Sequence, residues 1–288
     1  SKHKKTPRID PLTCALPSGG IDTHAHLNDP AFSGDLGEVL KRARQCGVSR
    51  IANVFLNPAE FPRDAELFRD HPEVFFLLGV HPDDAGPFSQ ETLALIRTHI
   101  RENPRIRAIG EIGLDYSRPD PECTPHDIQK AVFRAQLGLA RELDIPVAIH
   151  CRDAEEDTLS ILESENFSGR PLVWHCFGGG PDLVQRIVKN GWYVALGGTV
   201  TFKNNPQARE AVPFIPEDRL LMETDCPYLS PVPWRGTRNE PAYTVFTIRT
   251  LAECRGTSPE ILWQQCGRNA ETLFRLAEEA LRTGDKTH

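Results

Sequence analysis

The chain has 288 residues, of which 39% are hydrophobic and 25% charged, and it carries a formal net charge of -7. That is globular material in the size range of one large domain or two modest ones. The acidic balance excludes a broad basic face for coating duplex DNA, although bound cations could give a nucleic-acid substrate local positive charge. No apolar run is long enough to span a bilayer.

Residues 1–19 are basic, contain prolines and lack the apolar stretch of a secretion signal. They are expected as a flexible extension before a single domain over residues 20–288. Eight cysteines, with no C-x-x-C pair, then read as reduced thiols, and the compartment expected is the cytoplasm. The first apolar run, residues 20–27, reads as a buried strand ending in His24 and His26. Side chains on a strand alternate, so these two share a face, and Asp22 is expected to share it. Burying three such groups is costly without a partner, and a divalent cation is one; histidines satisfied by backbone carbonyls are the other reading.

Further β-rich runs lie at 50–56, 74–80, 106–114, 146–151, 171–177, 192–200 and 220–226, nearly continuous in hydrophobicity as buried parallel strands are. Helical spacing marks 35–46, 89–103, 125–143, 153–164, 181–190 and 206–212 between runs, and 242–255, 258–266 and 269–283 after them. This count and length match a single-domain (β/α)8 TIM barrel; a doubly wound sheet is the alternative that periodicity leaves open. In such a barrel the active site lies at the C-terminal strand ends. There the sequence places His24, His26, His81, Glu111, His150, His175 and Asp225. Cys151, Cys176 and Cys226 each follow a candidate ligand and are expected to face the packing helices. Imidazole with carboxylate suits Zn, Mn or Fe, and carboxylate with water suits Mg or Mn. Four histidines and two carboxylates exceed the needs of one catalytic metal, and suit two divalent ions about 3.5–4 Å apart sharing a carboxylate.

The segments DTHAHL (22–27), GVHP (79–82), GEIGLDY (110–116), HCRDA (150–154), HCF (175–177), ETDCPYL (223–229) and RGTRNEP (235–241) together resemble the TatD family of metal-dependent deoxyribonucleases, in the amidohydrolase superfamily. The resemblance implies that His24, His26, Glu111 and Asp225 hold one metal, and that Glu111, His150 and His175 hold the second with Glu111 bridging. It implies that Asp225, and Glu111 through the bridge, are catalytic, with Asp225 at the attacking water. His81 then reads as a contact to substrate phosphate or, alternatively, as a cap before Pro82. Arg152 shares a face with His150 and reads as a phosphate contact. Tyr228, Trp234, Arg235 and Arg238 read as base-stacking and phosphate contacts in the loop after the last strand, or as packing. The triple glycine 178–180 departs from the family pattern, leaving the shape of that loop open.

The expected activity is hydrolysis of phosphodiester bonds in DNA, as an exonuclease on single-stranded or frayed ends, by a monomer with no membrane partner. The alternative is an amidohydrolase acting on a small ester, lactone or amide. Many such relatives bridge their metals through a carboxylated lysine where this chain has Glu111.

Overall fold

The computed structural model describes residues 7–276. Eight parallel strands run in chain order around one sheet: β1 (Gly20–Ala25), β2 (Val48–Phe55), β3 (Val74–Leu78), β4 (Ile106–Asp115), β5 (Val147–Arg152), β6 (Leu172–Trp174), β7 (Tyr193–Leu196) and β8 (Leu220–Met222). The chain returns to its start through a parallel bridge between Ala25 and Cys226. The fold is therefore a (β/α)8 barrel and not an open doubly wound sheet.

Helices α1 (Leu36–Gln45), α2 (Phe61–Ala65), α3 (Gln90–Glu102), α4 (His126–Leu143), α5 (Glu155–Ser164), α6 (Pro181–Val188), α7 (Pro206–Ala211), α8 (Thr244–Arg255) and α9 (Pro259–Phe274) accompany the strands. Several begin on local chemistry that the sequence displays. Ser89 caps α3 in a reciprocal pairing with Thr92, and Ser258 caps α9 ahead of Pro259. Two helices expected over 258–266 and 269–283 are one helix as far as Phe274; residues 277–283 lie outside the described residues. Gly267 does not break it. A Cβ there would stand 2.0 Å from the Gly19 carbonyl oxygen, so the glycine is the space through which the first strand's entry passes.

Alternating strand residues divide the core. Ala52, Val54, Phe75, Leu77, Ala108, Ala148, Val173, Ala195 and Leu221 form one cluster that fills the barrel, with Ala270, Leu273 and Phe274 of α9 packed against it. The opposite faces, such as Ile51, Phe55, Phe76 and Ile149, pack against the helices. Because inward-facing positions recur every second residue, His150 sits two positions beyond Ala148 and His175 two beyond Val173, above that plug.

Residues 8–19 differ from the flexible extension expected. Pro11–Cys14 form a short 3₁₀ turn capped by Asp10, and Pro11 is buried. Leu16 N–H donates to Cys46 O, and Pro17 O accepts from Trp263 Nε1 at 2.8 Å. Residues 1–6 lie outside the described residues. All eight cysteines are free.

Candidate functional site

Above the plug opens a cavity of about 1080 Å³ lined by residues from all eight strands or the loops after them, including His26, His81, Glu111, His150, His175, Asp225 and Tyr228. Its centre is the Glu111 carboxylate, buried midway along β4. Oε1 stands 3.3 Å from His24 Nε2 and 3.4 Å from His26 Nε2. Oε2 stands 3.1 Å from His150 Nδ1 and 3.3 Å from His175 Nε2. Asp225 Oδ1 closes the first side, 3.2 Å from His26 Nε2 and 3.6 Å from His24 Nε2.

Three of the imidazoles are held from behind. His26 Nδ1 is 3.2 Å from Val54 O, His150 Nε2 is 2.8 Å from Asp115 Oδ2, and His175 Nδ1 is 2.7 Å from Glu223 Oε2. Carbonyl and carboxylate oxygens only accept, so each of these nitrogens donates and the other ring nitrogen turns toward Glu111. Three imidazole nitrogens thus surround carboxylate oxygens in a buried space. Lone pairs facing anionic oxygens repel unless a cation lies between them.

In the metal-free protein a proton is that cation. Burial alone would lower His26, but hydrogen bonds to Asp225 and Glu111 outweigh it and raise the group to about 10. His150 is likewise lowered by burial yet raised to about 9 by Asp115 and Glu111. His175 is raised well above the usual range by the charges of Glu223 and Glu111, against its burial. His24 goes down, first by burial and then by repulsion from His175, whose ring stacks on it at 3.4 Å. Burial would raise Glu111 and Asp225, yet the surrounding histidines hold both low and therefore anionic.

The donor set suits divalent metal. Ligand atoms of His24, Glu111, His175 and Asp225 lie within 4.8 Å of one another. Donors at about 2.0–2.1 Å on one tetrahedral ion would be ~3.4 Å apart, which is the spacing seen around both oxygens of Glu111.

Some expected residues stand elsewhere. Asp22 is not at the cluster: its carboxylate accepts from His24 N, Thr224 N and Thr224 Oγ1, fastening β1 to the segment after β8. Burial pushes it up to about 7. His81 Nδ1 accepts from Asp83 N–H and so caps a short 3₁₀ turn, while its ring meets that of His150 at 4.4 Å. Arg152 is exposed on the cavity wall. Tyr228 lies at the rim, 56% exposed, with its ring 6.5 Å from that of His26.

Trp234, Arg235 and Arg238 do not line the cavity. Trp234 Nε1 donates to Ile9 O and its ring stacks on Tyr243; Arg235 lies over Phe202; Arg238 makes a paired contact with Asp35 and lies over Phe32. Trp234 and Arg238 are thus occupied within the protein, while Arg235 is exposed and only stacks. Cys226 is buried in the core; Cys151 borders the cavity while its thiol meets Thr158 of α5; Cys176 has a left-handed backbone (φ 50°) and joins the cavity wall. Burial pushes its thiol far up, so without metal it stays protonated.

Asp115 and Glu223 were visible in their motifs without a role. Their signal is positional: Asp115 ends β4, the neighbour of the strand that carries His150, and Glu223 directly follows β8, two strands from His175. Glu223 also accepts from Cys176 N–H at 2.5 Å, fixing the turn after β6.

Barrel, buried donor cluster and open cavity define a metal-dependent hydrolase. A family model described as "TatD related DNase" matches residues 21–275. A Bacillus subtilis protein named uncharacterized metal-dependent hydrolase YabD is 40% identical over 256 residues, covering 89% of this chain and 99% of that protein. A protein of Erwinia tasmaniensis named 3'-5' ssDNA/RNA exonuclease TatD is 37% identical over 264 residues, covering 89% of this chain and all of that protein. The crystal structure of YJJV, a TatD homolog from Escherichia coli, superposes with a TM-score of 0.82 at 30% identity, covering 89% of this chain and 98% of that one. The chain belongs to the TatD family of metal-dependent hydrolases.

Proposed function

We propose that this hydrolase cleaves phosphodiester bonds at the ends of single-stranded nucleic acid, with two divalent ions of Mg, Mn or Zn. The observation that carries the reading is the division of the Glu111 carboxylate: Oε1 faces His24 and His26, which also meet the Asp225 carboxylate, and Oε2 faces His150 and His175. Each group would hold one ion, with Glu111 shared. Bound there, the ions supply water activation and neutralise charge on the phosphodiester.

The remaining work falls to side chains. Asp225 Oδ1 is engaged with His26 and His24, which leaves Oδ2 to accept the proton of the attacking water. His81 accepts at Nδ1, so in its neutral form Nε2 carries the proton and donates to a phosphate oxygen; that favours substrate contact over metal ligation. Arg152 supplies a cation on the same wall, and exposed Tyr228 offers a face on which a terminal base can stack. The polarity follows the named activity of the Erwinia relative, 3' to 5'.

The test uses metal-stripped protein and end-labelled single-stranded DNA, with Mg, Mn or Zn added back. Stepwise shortening from the 3' end, lost in Glu111→Ala while the circular dichroism spectrum is unchanged, is the expected result. Glu111→Ala retaining near-normal turnover would overturn the assignment. Absence of cleavage with every metal, alongside turnover of a small ester or lactone, would move the protein to the amidohydrolase reading.

A further inference from the structure

Outside the Glu111 centre the cavity wall is poor in free cations. Arg63 is paired with Glu60 and Asp64, Arg118 is paired with Asp83, and Arg152 forms no ion pair among the described residues. Asp84, Asp153 and Glu155 stand on the same wall, also without an ion pair among the described residues. Phosphates away from the centre therefore meet little positive charge. A strand in this cavity has to be gripped through its bases, whose faces are apolar and uncharged.

The segment directly after Asp225 offers the surface for that grip. Tyr228 and Leu229 both line the cavity, and they are 56% and 41% exposed. Leu229 is also held in the left-handed backbone region, at φ 60°, where a leucine is strained. Such strain persists only where the surroundings enforce it, and it gathers at ligand contacts. Here the surroundings do enforce it. Tyr228 N–H donates to Asp225 O at 3.0 Å, and Tyr228 O accepts from Asn239 Nδ2 at 2.8 Å. The backbone of Leu229 is seated on Gly198, where a Cβ would stand 2.3 Å from Leu229 O. The two side chains thus form a ledge whose backbone is tied to that of Asp225, a member of the donor cluster.

We propose that Leu229 is a specificity-determining residue: with Tyr228 it forms an apolar ledge that grips unpaired bases beside the scissile phosphate, and so selects single strands over paired ends. This rests on the nucleic-acid reading above. Bases in a duplex are already stacked and paired, so a paired end gains nothing from the ledge until it has paid to fray. Grip by stacking releases no counterions, so the ledge sets affinity without setting its salt dependence.

The experiment compares the full chain with Leu229→Ala, using the metal that restores cleavage. The substrates are a six-nucleotide single strand and a blunt hairpin with the same 3' sequence, across a salt series. The expected result is a roughly tenfold rise in KM for the single strand, with kcat within about twofold and the salt slope unchanged. Hairpin kcat/KM should stay within about twofold, so the preference for the single strand falls. Leu229→Gly should behave alike, with a melting temperature no lower than that of the unaltered chain, because glycine accepts the left-handed backbone. Val232→Ala, also exposed but outside the cavity wall, should change neither KM. An unchanged KM for the single strand, or an equal loss on both substrates, would overturn the ledge and leave the nuclease intact. So would a fall in kcat together with melting temperature, since Asp225 is four residues away and a merely structural leucine would disturb it. Failure of the unaltered chain to hydrolyse either substrate would instead overturn the nuclease reading, and the ledge with it.

Discussion

Two regions of the catalytic face treat their polar groups in opposite ways. At the strand ends, Asp115, Glu223 and the Val54 carbonyl hold three histidines from behind and leave one ring nitrogen of each turned inward. In the loop after β8, Arg238 is closed onto Asp35, Arg235 onto Phe202 and Trp234 onto Ile9. The first region keeps donors available by satisfying only half of each; the second turns Trp234 and Arg238 onto partners within the protein and so gives shape. Being present near an active site is therefore not the same as being available to it.

Variants can test that contrast. The largest effect expected in the centre after loss of Glu111 is that of Asp225→Asn. Turnover should fall by ~10²–10³-fold with KM changed much less, because the lost group acts at the water; a change confined to KM would contradict its role. Glu223→Gln keeps the shape but weakens the acceptor behind His175, and should lower affinity for one metal equivalent by about 10–100-fold, read by titration calorimetry. Equal loss at both equivalents would argue that Glu223 supports the barrel and not one histidine.

A pH effect sharpens the same point. His26 and His150 are raised to about 10 and about 9, so both are protonated at pH 7 without metal. Metal uptake must expel those protons, and apparent affinity should climb as pH rises from 7 toward 9, with proton release visible as a buffer-dependent heat. A raised histidine stabilises the fold fully below its unfolded value of 6.5, and that contribution is lost as pH rises through the folded value. The melting temperature of the metal-free protein should therefore decline between pH 7 and 10. A flat profile would place the protons elsewhere. The smallest kinetic effect belongs to the loop: Arg238→Ala should cost roughly 1 kcal/mol of stability and leave KM within about twofold. A KM rise of tenfold would show that the loop does reach substrate.

How much of this could be read in the chain follows from the same physics. Strand parity and histidine placement revealed the barrel and brought His24, His26, Glu111, His150, His175 and Asp225 to one end, because inward positions repeat every second residue. Asp22 obeyed no such rule, since the β1–β2 register shifts between Asp22 and Ala25 and its carboxylate found Thr224. Helix α2 is five residues with Pro62 in its first turn, too short for a period to show. The roles of Trp234 and Arg238 depend on partners about 200 positions away in the chain, Ile9 and Asp35, which no local pattern records.

The seam where β8 meets β1 has a consequence for the life of the chain. Asp225 N–H donates to His24 O at 2.8 Å, His26 N–H donates to Cys226 O at 2.9 Å, and Thr23 Oγ1 donates to Met222 O. The bonds that close the barrel are made by candidate ligands of the proposed metal site and by their neighbours. A chain still emerging from the ribosome, with its eighth strand unmade, therefore lacks both the closure and the complete donor set. On the proposed assignment the candidate ligand set is therefore complete only once the barrel is closed.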